Sequence, residues 1–288
     1  MFRGFVLLML GLTLAAMADA VEVRYGVTVS RDVVYGMGLS AAQDSGVKPL
    51  LMDMYLPEDC PDMLKPAVVI VHGGQFRFLD KTQQPHTVLS RFFAARGFAA
   101  FCIDYRQVQD LPQAEQLPER CATRLAQQAA VADCRAAIRW VRANASLYGI
   151  DPEMVAGVGS SAGGTCMYGL AFEDAEPGPG NDPLYELNSP GYSSRLQACV
   201  ALWGNPSAYF PDIDQNDTPI LFAHGLFDPK RDTPPGPVLR LQEVMNVAGA
   251  PYEFLPLDMP GHALWEARVD SVPLGQIILD FLARELGL

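Results

Sequence analysis

The stretch Met154-Val155-Ala156-Gly157-Val158-Gly159-Ser160-Ser161-Ala162-Gly163-Gly164 decides how this chain is read. Its first half is a short apolar run, as expected of a buried strand. Its second half has the pattern Gly-x-Ser-x-Gly and opens residues 162–172, which read as a helix. A serine between strand and helix, with glycine two positions to either side, has the context of a nucleophile elbow. The turn is tight and strained, and large side chains flanking the serine would strike neighbouring backbone. The frame selects Ser161, because Ser160 would need glycine at position 158, where this chain has valine.

Outward from the elbow, apolar runs recur at 67–71, 98–103, 198–203, 220–223 and 252–257. Helix-like segments fall at 88–96, 123–144, 235–248 and 272–286. Strands alternating with helices predict βαβ units and a mostly parallel, doubly wound sheet. Residues 21–29 and 50–56 alternate apolar and polar side chains, as edge or antiparallel strands do. No internal repeat is present. Residues 173–194 are rich in Gly, Pro, Asn, Asp and Ser. They read as a surface loop that could rim the site but is too short for a lid domain.

The 288 residues are 49% hydrophobic and 19% charged, enough apolar material for one large core. The net charge of −12 carries no basic run, so a nucleic-acid partner is not expected, and an acidic surface offers nothing to anionic lipid. The first 20 residues read as a secretory signal: Arg3, an apolar stretch, then small residues allowing cleavage after Ala18 or Ala20. An uncleaved anchor is the alternative, but the apolar run is too short to span a bilayer comfortably. The expectation is a signal peptide over 1–20 and a catalytic domain over 21–288. The mature chain would be exported, periplasmic or secreted, without stable membrane insertion. Six cysteines then remain: Cys60, Cys102, Cys121, Cys134, Cys166 and Cys199. Export permits disulfides, and six cysteines allow 15 complete pairings. At least one bridge is expected, although Cys102 and Cys199 lie in apolar runs where a buried thiol serves equally well. None has metal-ligand spacing, and no cofactor is called for.

A serine hydroxyl needs a base to take its proton. The candidates are His72, His86, His224 and His262. Behind an elbow of this kind the chain order is serine, acid, histidine. His224 precedes the expected acid, whereas His262 follows the last strand within Pro260-Gly261-His262. His262 is therefore the expected base. The acid belongs just after the penultimate strand, where Asp228 follows His224-Gly225-Leu226-Phe227. Asp232 and Asp258 are its rivals; Asp258 is expected on the preceding strand, only four residues before the histidine. Charge developing on a substrate carbonyl needs backbone donors. One is the N–H of Ala162; the other belongs to Gly74 or Gln75 in His72-Gly73-Gly74-Gln75-Phe76. His72 and Gly73 are expected to support that loop.

His72-Gly73-Gly74, Asp104-Tyr105-Arg106, Tyr148-Gly149-Ile150-Asp151-Pro152 and Gly159-Ser160-Ser161-Ala162-Gly163-Gly164 occur in that order, followed by His224-Gly225-x-x-Asp228 and Gly261-His262. As a set spanning about residues 45–286, they resemble the esterase/lipase branch of the α/β hydrolases. That branch includes hormone-sensitive-lipase-like and feruloyl-esterase-like carboxylesterases. The segment from Gly191 to Trp203-Gly204 is closer to the second, less lidded group. The resemblance implies an α/β-hydrolase fold of about eight strands flanked by helices, with no large lid domain. It implies a serine esterase acting on a small-molecule ester through an acyl-enzyme. Arylformamidase, thioesterase or peptidase chemistry on the same triad are alternatives, as is a non-catalytic binding or adhesion relative. Gln75 departs from the hormone-sensitive-lipase pattern, which has a third glycine there, and Asp104-Tyr105-Arg106 is implied to be a structural turn. Phe76, Phe78, Trp203, Tyr209 and Trp265 could line a pocket or pack in the core.

Overall fold

A computed structural model describes residues 24–288 apart from 42, 45, 62–63, 175, 177 and 179–182. The expected signal segment, residues 1–20, lies outside the described residues. The strands are β1 (Val27–Leu39), β2 (Val47–Pro57), β3 (Lys65–Val71), β4 (Ala99–Ile103), β5 (Ile150–Ser160), β6 (Ala198–Leu202), β7 (Ile220–Phe227) and β8 (Tyr252–Pro260). They form one sheet in the order β1-β2-β4-β3-β5-β6-β7-β8. β1 and β2 pair antiparallel with each other, and β2 pairs antiparallel with β4. Every pairing from β4 to β8 is parallel. This is the eight-stranded, mostly parallel sheet expected of an α/β hydrolase.

Side-chain alternation divides the core between the two faces. In β3, Ala67, Val69 and Val71 join one cluster while Val68 and Ile70 join the other; β4 and β6 divide in the same way. The first face is covered by α2 (Glu119–Ala143), α4 (Ala162–Phe172) and α5 (Pro235–Ala248), after α1 (Gln84–Ala94) and the single turn α3 (Ala145–Tyr148) in chain order. The second face carries α1 and α6 (Leu274–Leu286). Where β3 to β6 are sandwiched, at 67–71, 99–103, 155–159 and 198–202, their residues are apolar or glycine without interruption, which is why those runs were legible without any periodicity.

Several boundaries differ from the sequence reading. β1 runs to Leu39, carried through register shifts at 30–33 and 34–36, and β7 continues to Phe227. His224 and Gly225, beyond the apolar run 220–223, are thus strand residues pairing with Pro256 and Leu257 of β8. The 88–96 helix begins instead at Gln84, where Pro85 occupies the first turn and lacks the N–H that a helix start leaves unpaired.

The expected disulfide is not formed: Cys102, Cys121, Cys134, Cys166 and Cys199 are free thiols. Geometry explains two of them. Cys102 in β4 and Cys199 in β6 point to opposite faces of the sheet, where each packs as a small hydrophobe. Cys134 on α2 and Cys166 on α4 are close enough for a thiol hydrogen bond but remain unlinked.

The described residues of the 173–194 insertion pack against α2. Arg135 donates to Glu173 O at 2.8 Å, Arg139 to Asn188 O at 2.9 Å and Arg142 to Ser193 O at 2.7 Å. Positions 135, 139 and 142 share one helix face, so their three guanidinium groups meet the insertion's carbonyls from the same side.

Candidate active site

β5 runs directly into the elbow. Ser161 sits at φ 54°, ψ −113°, immediately before α4, with its N–H donating to Leu202 O at 2.8 Å. Few residues tolerate that backbone, and the neighbouring glycines make it fit. A Cβ on Gly159 would lie 2.1 Å from Gly163 O, and one on Gly163 would lie 2.2 Å from Val71 O. No side chain fits at either position. The elbow lifts the Ser161 side chain to the C-terminal edge of the sheet, where it is 8% exposed.

Three segments meet there. His262 Nε2 stands 3.0 Å from Ser161 Oγ, and His262 Nδ1 stands 2.7 Å from Asp228 Oδ2. With Nδ1–H donating to the carboxylate, Nε2 is left as the acceptor facing the serine. Asp228 is held in turn by the Lys230 N–H at 2.9 Å and the Thr233 hydroxyl at 3.4 Å. His224 Nε2 lies 2.9 Å from Thr233 O and 3.4 Å from the same Asp228 oxygen. Burial lowers the pKa of His262 below its ordinary 6.5, while the Asp228 carboxylate pushes the other way. The imidazole is therefore predominantly neutral at pH 7, ready to take a proton.

The rivals are placed elsewhere. Asp258 lies on β8, exposed and outside this relay. Asp232 accepts from Gln75 Nε2 at 2.5 Å. Ser160, the other serine of the pair, is bonded at 2.8 Å to His86 Nε2 beneath the sheet edge. His86 Nδ1 has no partner among the described residues. That second serine–histidine pair lacks the carboxylate that would orient and charge its ring, and burial lowers the pKa of His86 to about 3.

The loop after β3 closes the other side of Ser161. A Cβ on Gly73 would fall 3.1 Å from Ser161 Cβ, so the loop lies directly against the candidate nucleophile. Gly74 has φ +111°, while Gln75 and Phe76 have φ +57° and +59°. The loop is pinned from behind. The Tyr105 hydroxyl lies 3.0 Å from both His72 O and Gly73 O, and His72 Nδ1 lies 2.6 Å from Gly73 O. Tyr105 also stacks on His72 at 4.3 Å, and burial lowers the pKa of His72 to about 4. Arg106 forks onto Asp133 at 2.6 and 3.0 Å, and Asp104 accepts the Lys81 N–H at 2.7 Å. The Asp-Tyr-Arg segment is thus a structural clamp behind the loop. Across the elbow, the N–H of Ala162 belongs to the first turn of α4, which has no helical acceptor for it.

Of the aromatic candidates, Phe76, Trp203 and Tyr209 are core residues and Phe78 is exposed. Trp203, at φ +42°, stacks edge-on between His262 and Trp265. Sequence reasoning passed over Thr233 and the second contact of His224. Thr233 carries no motif signal, and the pairing of His224 depends on where the loop after β7 folds back. Among the described residues, no cluster of His, Cys, Asp or Glu could hold a metal ion.

The BD-FAE family model matches residues 52–206, just over half of the chain, from β2 past the elbow to the loop after β6. Esterase LipC of Mycobacterium tuberculosis is 30% identical over 157 residues, which are 54% of this chain and 33% of LipC. Esterase LipI of the same organism is 27% identical over 241 residues, 74% of this chain and 70% of LipI. The chain thus spans about a third of LipC and more than two thirds of LipI. Esterase 2 of Thermogutta terrifontis, phosphorylated by paraoxon, superposes with a TM-score of 0.65 at 24% identity, over 90% of this chain and 92% of that one. A truncated carbohydrate esterase from gut microbiota gives a TM-score of 0.65 at 22% identity, over 93% and 99%. At those identities the structures speak for the fold, while the family match rests on sequence. This chain belongs to the BD-FAE family, within the esterase branch of the α/β hydrolases.

Proposed function

We propose that the chain is a serine hydrolase that cleaves carboxylic esters of small molecules through an acyl-enzyme. The observation that carries this reading is the unbroken relay of 3.0 Å and 2.7 Å from Ser161 through His262 to Asp228. His262 Nε2 takes the Ser161 proton as Oγ attacks the ester carbonyl. Asp228 holds the ring in the correct tautomer and stabilises the imidazolium that forms. The N–H groups of Ala162 and of Gly74 or Gln75 receive the developing oxyanion. His262 then protonates the departing alkoxide, the alcohol leaves, and water activated by the same histidine releases the acid. No step calls for a metal or a cofactor.

The esterase relatives and the neighbouring carbohydrate esterase support the substrate class. Residues 1–20 support export to the periplasm or the medium. No helix among the described residues is long and apolar enough to cross a membrane.

The test is labelling with a fluorophosphonate, followed by peptide mapping. A single adduct at Ser161, lost in Ser161→Ala together with hydrolysis of p-nitrophenyl acetate, is expected. Absence of any adduct in the intact protein would refute the reading, and preference for formamides or peptides over every ester would change the substrate class.

A further inference from the structure

The loop after β3 and the loop after β7 are joined across the site, although two strands separate them. In the sheet order β3-β5-β6-β7, strands about 4.8 Å apart place β7 about 14 Å from β3. Ser161 follows β5 and Trp203 follows β6 between them. A link between the outer two loops therefore crosses the C-terminal ends of β5 and β6, the edge on which Ser161 sits. Gln75 and Asp232 make such a link, with Gln75 Nε2 donating to Asp232 Oδ2 at 2.5 Å. The loop after β6 supplies a post midway: Asn205 Nδ2 donates to Asp232 O at 2.8 Å, while the Asn205 N–H is anchored on Thr165 Oγ1 at 2.9 Å.

Neither end of this link is a core residue. Asp232 is exposed and Gln75 partly so, which puts the bond at the protein surface. Gln75 and Phe76 both hold left-handed backbone, φ +57° and +59°. At the other end, the next residue after Asp232 is Thr233, which touches both Asp228 and His262.

We propose that Gln75 and Asp232 form a polar strap over Ser161 that determines ester specificity by restricting bulk next to the scissile bond. The inference rests on the esterase reading above. Esters with slender acyl and alcohol groups fit beneath the strap, whereas branching at the carbon on either side of the ester requires the space it occupies. Such a substrate must break the Gln75–Asp232 bond, and it meets that cost again in the transition state, so kcat/KM falls.

The experiment compares kcat/KM for p-nitrophenyl pivalate against p-nitrophenyl acetate, and for tert-butyl acetate against ethyl acetate. Gln75→Ala and Asp232→Ala should each raise at least one bulky-to-slender ratio by about tenfold. Because they break one interaction, the double variant should gain no more than the better single. Asp232→Asn keeps a carbonyl acceptor for the Gln75 amide and should retain the wild-type ratios, which a general loosening of the loop would not allow. Ratios within about twofold of wild type in both alanine variants would overturn the strap while leaving the esterase reading intact. An intact protein that neither hydrolyses acetates nor takes a fluorophosphonate would instead sink the esterase reading.

Discussion

At the scale of single residues, the site turns on which carboxylate meets which histidine. Asp228 and Asp232 lie four positions apart on one loop, and Asp258 stands on the adjacent strand, so position along the chain separates them weakly. The 2.7 Å contact to His262 Nδ1 singles out Asp228. Asp228→Asn should lower kcat by about four orders of magnitude with little change in KM, because an amide cannot hold the required tautomer or stabilise the imidazolium. Asp258→Asn should leave kcat near wild type; steady-state kinetics on p-nitrophenyl acetate decide between them, and a larger loss in the second variant would move the acid to β8. The proton balance is also a residue property. As the proposed base His262 must be neutral, and burial lowers its pKa below 6.5. The acid limb of kcat/KM should therefore fall at a pH below 6.5, with activity lost as pH drops through that ionisation. A limb above 6.5 would contradict the desolvated ring.

At the scale of elements, the elbow and its glycines carry the most specific demand. A Cβ on Gly163 meets backbone at Val71 O and His72 O, at 2.2 and 2.8 Å, and backbone cannot rotate aside. Gly163→Ala should cost about 3 kcal/mol or more of stability in chemical denaturation, as expected of overpacking against fixed neighbours. Gly275, in the first turn of α6, would place the added carbon no nearer than 3.9 Å, from the Phe92 ring, and has no positive φ. Gly275→Ala should be neutral or stabilise by up to about 1 kcal/mol. Equal effects of the two substitutions would show that steric contact is not what the elbow glycines provide. This contrast was partly legible in advance, since Gly-x-Ser-x-Gly between an apolar run and a helix has few other readings. α4 and α5 fall where their patterns place them, whereas the start of α1 and the continuation of β7 do not. Pro85 opens a helix that its apolar spacing does not announce, and β7 is prolonged by pairing with β8, whose residues lie about 32 positions further along the chain.

At the scale of the whole molecule, buried neutral histidines should govern acid stability. His72 and His86 are both buried, with pKa values lowered from 6.5 to about 4 and about 3. The unfolded chain binds these protons near 6.5 and the folded chain does not, so folding loses stability as pH falls from 6.5 towards 4. His72 alone accounts for a loss on the order of 3 kcal/mol over that interval. Thermal melts should show Tm falling across this window, and His86→Gln should flatten the fall; a Tm independent of pH from 7 to 4 would refute the assignment. Taken alone, the sequence determined the alternation of strands and helices, the sheet class and the choice of Ser161, Asp228 and His262 as the candidate triad. Those features depend on local patterning and on chain order around one tight turn. Tertiary structure alone decided that Cys102 and Cys199 face opposite sides of the sheet, that Ser160 bonds to His86, and that Gln75 reaches Asp232. Each of these joins segments far apart along the chain, and such pairings follow from strand order and loop path, which local patterns do not encode.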